Sequence, residues 1–151
     1  MSNPAAMHPT EAKNTTSTGA ATADALVTVP LHQVAHARAG DKGNRLNVSL
    51  MPYDPAAYPL LAEQLTEARV LALYAHRGAV RVTRYDLPLL PAFNFVIDDV
   101  LEGGVNGSLN LDGHGKSNSF ILLGVEVRVP ATFVRAAAFT AAAAPAARPL
   151  T

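Results

Sequence analysis

The segment Val34–Met51, VAHARAGDKGNRLNVSLM, sets the strongest constraint on what this chain can fold into. Two stretches that alternate apolar and polar residues flank a short run rich in glycine and charge. Alternation is the two-residue period of a half-buried strand. A short polar insert containing glycine between two such flanks is a hairpin signal. In the second flank Leu46, Val48 and Leu50 face one way, and Asn47, Ser49 and Met51 face the other. A chain with this segment builds a sheet around it, with Asn47 on the face turned away from the core, near the loop Arg38–Asn44.

The remaining elements can be read against that hairpin. Leu26–Leu31 alternates, and Pro30, which has no N–H for a ladder, marks it as an edge strand or a strand start. Pairing resumes over Gln33–Ala37. Tyr53–Pro59 has turn chemistry. Pro59 suits a first helical position, and Leu60, Leu61 and Leu65 follow at helical spacing. Thr66 is placed to cap a second segment, Glu67–Tyr74, whose apolar face is Val70, Leu73 and Tyr74. Gly78 closes this kinked helical region. Val80–Tyr85 alternates as a third strand.

Pro91–Gly104 reads as a short amphipathic helix. Phe93, Val96, Ile97 and Val100 form its buried stripe, Asp98, Asp99 and Glu102 a solvated side, and Gly103 with Gly104 its C-terminal cap. Asp112 and Gly113 read as a hairpin-type turn, and Phe120–Val129 as the best-defined strand. The order is strand, strand, helix, strand, helix, strand, with a short extra strand at Ser108–Leu111 as an option. This is an α+β pattern: a two-layer sandwich with one mixed or antiparallel sheet of four to five strands and both helices on one face. Residues 1–24 read as a disordered tail, 25–130 as the domain, and 131–151 as an alanine-rich tail with some helix.

Composition narrows the function classes. Twelve basic and twelve acidic residues give a formal net charge of zero. That argues against nucleic acid or a polybasic membrane role, both of which rest on a cationic surface, and leaves little charge repulsion against homo-oligomers. With no cysteine, disulfides, thiolate metal sites and a cysteine nucleophile are excluded. The first residues lack the basic region and apolar run of a secretory signal, so a cytoplasmic setting is expected. His32 and His36 would lie about 13 Å apart on one strand face, too far for one metal, and no carboxylate cluster completes a set. No metal and no cofactor is expected.

The candidate site lies in and around Arg38–Asn44. Arg38 and Lys42 supply charge for a carboxylate or phosphate, Gly40 and Gly43 let backbone N–H groups approach it, and Asn44 adds directional hydrogen bonding. Asp41 is expected to fix Lys42, and these two are the catalytic candidates. Asn47 and Asn94 are the next candidates, with amides able to hydrogen-bond a ligand or the 38–44 loop. Lys116, in GlyHisGlyLysSer, is placed to approach the same anion. A nucleotide P-loop is excluded there by Asn110, where the first glycine belongs, and by the strand expected after Lys116. The plain alternatives are a hairpin loop in which Asp41 caps its own backbone, and an Asn94 amide that satisfies the fold's own polar groups.

Five separated blocks then point to a known family. HisAlaArgAlaGlyAspLysGlyAsn (36–44), ArgTyrAspLeuPro (84–88), AlaPheAsnPheVal (92–96), the GlyGlyVal and SerLeu segment (103–109) and LeuAspGlyHisGlyLys (111–116) resemble, in order, the AtuA-related family. The likeness is to the ferredoxin-like domain of acyclic terpene utilisation proteins, and it covers about Val29–Val129. It implies a ferredoxin-like sandwich, found beside a large AtuA domain or as a separate short chain. It also implies a setting in the catabolism of branched or acyclic acids as CoA thioesters. The resemblance therefore suggests an accessory small subunit that docks on a large AtuA-domain subunit. Such a subunit would lend an anion-holding loop to hydratase or lyase chemistry on a small-molecule acyl-CoA or carboxylate. The alternative is a non-catalytic interaction or dimerisation module.

Overall fold

The computed structural model of the chain describes residues 25–135. The tail expected over 1–24 and the helix expected in the alanine-rich stretch lie outside the described residues, apart from 131–135. Among the described residues the elements run β1 (Leu26–Pro30), β2 (Ala35–Lys42), β3 (Arg45–Pro52), α1 (Tyr58–Gln64), α2 (Glu67–Tyr74), β4 (Arg81–Leu87), β5 (Ala92–Asp98), α3 (Ser119–Leu123) and β6 (Glu126–Pro130).

The hairpin forms as its alternation requires, but its strands run further than expected. β2 continues to Lys42 and β3 starts at Arg45, so the loop shrinks to Gly43 and Asn44. Gly43 sits at φ +67°, as the first central residue of a type II′ turn requires. Leu46, Val48 and Leu50 are fully buried, while Asn47, Ser49 and Met51 lie on the opposite face. The helical region also follows the sequence. Pro59 lies in the first turn of α1, Thr66 Oγ1 accepts from Arg69 N–H at the start of α2, and Gly78 ends the region at φ +86°.

Two elements differ from the sequence reading. Pro91–Gly104 is not a helix: β5 runs through the centre of the sheet, paired with β3 on one side and β4 on the other. Phe93, Phe95 and Ile97 are all buried, and this two-residue period competes with the helical one in the same stretch. Phe120–Val129 is not one strand either. It opens as α3, breaks at Gly124 and continues as β6. Ser108–Leu111 forms no strand, and Asp112–Gly113 lies in a turn without a hairpin.

Among the described residues there are accordingly two sheets rather than one, and both are antiparallel. The larger has the order β2-β3-β5-β4, and β1 pairs with β6 in a separate ribbon. Pro30 ends β1, and the tight turn Leu31–Gln33 re-aims the chain, with Leu31 N–H donating to Val125 O. The helices and the ribbon pack on one face of the large sheet and share one core with it. Residues 131–135 fold back on the domain: Arg135 N–H donates to Gln33 O, and its guanidinium lies 4.8 Å from the Tyr53 ring centre. Among the described residues no helix is long and apolar enough to cross a membrane.

Candidate functional site

Among the described residues no layer covers the second face of the four-stranded sheet, and there the register gathers most of the candidate residues. Paired residues on adjacent antiparallel strands share a face. One row across the sheet reads Arg38, Ser49, Asn94, Tyr85, and the next Gly40, Asn47, Val96, Thr83. At the centre Asn47 Nδ2 donates to Asn94 Oδ1 (2.9 Å), and Ser49 Oγ donates to the same oxygen (3.3 Å). Asn94 therefore stands mid-strand on the open face, not in a helical first turn. At the edge Gly40 leaves space that Lys116 occupies: its Nζ lies 3.0 Å from where a Cβ on Gly40 would be. Arg38, Gly40, Asn47, Asn94 and Lys116 are thus brought to one surface.

Asp41 and Lys42 are not brought together as a side-chain pair. They are neighbours on a strand and point to opposite faces. Lys42 pairs with Arg45 in register, and its Nζ donates to the main-chain oxygen of Asp41. The Asp41 carboxylate instead meets His114 Nδ1 at 3.1 Å. That contact, its own backbone N–H and the charge of Lys116 hold the Asp41 carboxyl below its usual range.

Asn44 is engaged in the fold. Its Oδ1 accepts from Leu101 N–H (3.2 Å) and Gly103 N–H (2.9 Å), and its Nδ2 donates to Asp99 Oδ1 (3.0 Å). Together these bonds latch the hairpin turn to the chain leaving β5. Asn44 thus serves the fold while also lining the cleft at the hairpin end, and Gly43 is committed to the turn.

A third row closes the open face at the hairpin end. Asp98 is bridged by Arg45 and by Arg81 (2.7 Å), with its side chain 13% exposed. The solvated helix side expected for Asp98 is thus a double ion pair on the sheet. The two guanidinium groups, Arg45 first, hold the Asp98 carboxyl low. A cleft of about 530 Å³ opens here, lined by Lys42, Arg45, Arg81, Asp98 and Asp99 among others. Arg38, Lys42, Arg45, Arg81 and Lys116 thus stand on this face against Asp98 and Asp99, in a chain whose formal charge is zero.

The segment that delivers Lys116 is braced by Asp112. Its carboxylate accepts from Lys116 N–H (2.9 Å), Ser117 N–H (2.7 Å) and Ser117 Oγ (2.6 Å). Gly115 is buried at φ +64°, and a Cβ there would come within 2.8 Å of both Leu101 and Leu46. A short turn and then α3 follow Lys116, in place of the strand expected there.

The family comparison agrees with this architecture. The AtuA ferredoxin-like domain matches residues 29–128. The chain belongs to that family. No curated protein and no solved structure matches it.

Two contributors to the site of this AtuA ferredoxin-like domain escaped the sequence reading. Asp112, read as a turn residue, carried a local signal: a carboxylate four and five residues before backbone donors it can clamp. His114 carried none, because its partner Asp41 is 73 residues away. His36 stacks on Tyr53 with ring centres 5.6 Å apart. His32 lies in the turn after β1, so the two do not share a strand. Among the described residues no three metal-binding side chains come together.

Acid stability tests these ion pairs. The carboxyls of Asp41, Asp98 and Asp112 all lie below their ordinary value of 3.8 in the folded chain. Their stabilisation is complete above that value and is lost as pH falls through the depressed ones. The thermal midpoint is expected to drop between about pH 5 and pH 2. Asp98→Asn should lower the midpoint at pH 7 and flatten part of that drop. An unchanged slope would show that Asp98 adds nothing to it.

Proposed function

We propose that this domain is an accessory subunit whose open sheet face holds the anionic part of an acyl-CoA or small carboxylate substrate against a large AtuA-type chain. The observation that carries the reading is charge segregation. A chain with zero formal charge places five basic side chains and two carboxylates, Asp98 and Asp99, on the face that the described residues leave uncovered, around a cluster of amide and hydroxyl groups. Arg38 and Lys116 both stand on the β2 side of the Asn47–Asn94 pair, so a carboxylate or phosphate held between them would meet charge-assisted donors. A carbonyl beyond it would find the free N–H of an amide. Such a surface works by positioning and electrostatic stabilisation, in keeping with hydratase or lyase chemistry that is completed by a partner.

The other end of the same sheet suits docking. Leu87, Leu89 and Leu90, at the β4–β5 turn, are 39%, 96% and 73% exposed, and Tyr85 is 52% exposed. An apolar tip beside a polar face is the anatomy of a binding surface. It also supports the second reading, a module whose role is assembly alone.

The test is binding of crotonyl-CoA, followed by calorimetry, to the chain mixed with a large AtuA-domain chain. The double variant Arg38→Ala, Lys116→Ala is expected to weaken binding about 30-fold, from two charge-assisted contacts of about 1 kcal/mol each. Leu89→Asp with Leu90→Asp is expected to abolish co-purification while the isolated domain stays folded. Unchanged binding in the first variant would overturn the anion-holding reading, and unchanged co-purification in the second would remove the docking surface.

A further inference from the structure

We propose that His114, oriented by Asp41, is the proton-transfer residue of this surface. The proposal rests on the anion-holding reading above and adds the acid–base chemistry that reading lacks.

The argument starts from hydrogen-bond valence. An ionised carboxylate accepts and never donates. With Asp41 Oδ1 at 3.1 Å, His114 Nδ1 must carry the hydrogen of that bond. In the neutral ring this leaves Nε2 with a bare lone pair, and the His114 side chain is 60% exposed. A carboxylate that fixes the tautomer of an imidazole, and stabilises its cation once formed, makes it a competent base. Among the described residues His114 is the one histidine that meets a carboxylate.

The ring is also fixed in place. Asp112 clamps the backbone just after it, and the buried Gly115 locks the chain against Leu46 and Leu101. Two residues on, Lys116 reaches over Gly40 into the row that holds Asn47. One rigid turn thus brings a base and a cation to the β2 edge of the sheet, Lys116 over Gly40 on the open face and His114 against Asp41 on the other side of the strand. The charged groups that face His114 are Asp41, Lys116 and Asp112.

The step that fits is addition of water to an unsaturated acyl thioester. Nε2 takes a proton from water as the water oxygen bonds to the β-carbon and the C=C π pair moves toward the α-carbon. The imidazolium then returns that proton to the α-carbon. Water is consumed, the double bond is lost, and the residue ends as it began.

Two measurements on the full chain test this. Ring nitrogen NMR of the labelled protein should show neutral His114 with its hydrogen on Nδ1, and Asp41→Ala should move it towards Nε2. In the complex with the large chain, His114→Gln should lower kcat for crotonyl-CoA about 100-fold or more, with KM within about threefold. A tautomer indifferent to Asp41→Ala, or unchanged kcat with crotonyl-CoA still bound, would overturn the role of His114 and leave the anion-holding face intact. Loss of crotonyl-CoA binding to the wild-type chain would overturn that face and this role together.

Discussion

Gly104→Ala is expected to unfasten the hairpin from the rest of the domain and to cost about 3 kcal/mol or more of stability. Two effects add. Gly104 sits at φ +78°, where a side chain costs about 1–2 kcal/mol. Its Cβ would also lie 2.6 Å from Gly43 O and 2.8 Å from Gly43 C, backbone atoms that cannot rotate away. The chain after β5 would have to lift from the turn. That breaks the bonds Asn44 makes with Leu101, Gly103 and Asp99, and it disturbs Val100 and Leu101, both of which are buried. Gly43→Ala is the control. It shares a left-handed φ, +67°, but a Cβ there meets nothing within 4 Å. Denaturant unfolding should give Gly104→Ala at least twice the loss of Gly43→Ala. Equal losses would mean that close approach has no part in it.

That pair of glycines also shows where sequence reasoning stops. Gly103 and Gly104 look like a helix cap because they follow an apolar stretch. Their real task, to let one backbone lie against another, depends on a turn some 60 residues earlier. The first hairpin, the paired helices with Thr66 and Gly78, and β4 were legible because each rests on local periodicity or capping. β5 was not, since Phe93, Val96, Ile97 and Val100 satisfy the helical spacing while Phe93, Phe95 and Ile97 satisfy the strand spacing. Ile121–Val129 misled in the same way, with Gly124 the break inside it.

The candidate site was partly legible for the same reason. Arg38, Gly40, Asn47 and Lys116 were identified by residue type and position near the hairpin, and the register places them together. Asn94 was identified too, although in the wrong element. The Asp41–Lys42 pairing failed because it assumed a loop. Once β2 extends to Lys42, adjacent residues must diverge, and Asp41 takes a partner from a distant turn.

Phe95→Ala against Val96→Ala decides between the two periods directly. In a helix with its stripe on Phe93, Val96, Ile97 and Val100, Phe95 lies off the buried face, and its loss is cheap. In β5 the order reverses. Phe95 is fully buried, with its ring 6.2 Å from that of Phe93, while Val96 looks out from the open face between Asn47 and Thr83. Truncating a buried phenylalanine costs about 3–5 kcal/mol, through lost transfer energy and the cavity left behind. A domain of this size holds about 5–15 kcal/mol in all, so Phe95→Ala is expected to remove about a fifth of it or more. Val96→Ala should cost under about 1 kcal/mol, because it opens no cavity in the core. Each variant is read from its denaturant midpoint at constant m-value. The opposite ranking would return this segment to a helix. It would also take Asn94 out of the row it shares with Arg38 and Ser49, and remove the centre of the surface on which the functional proposal stands.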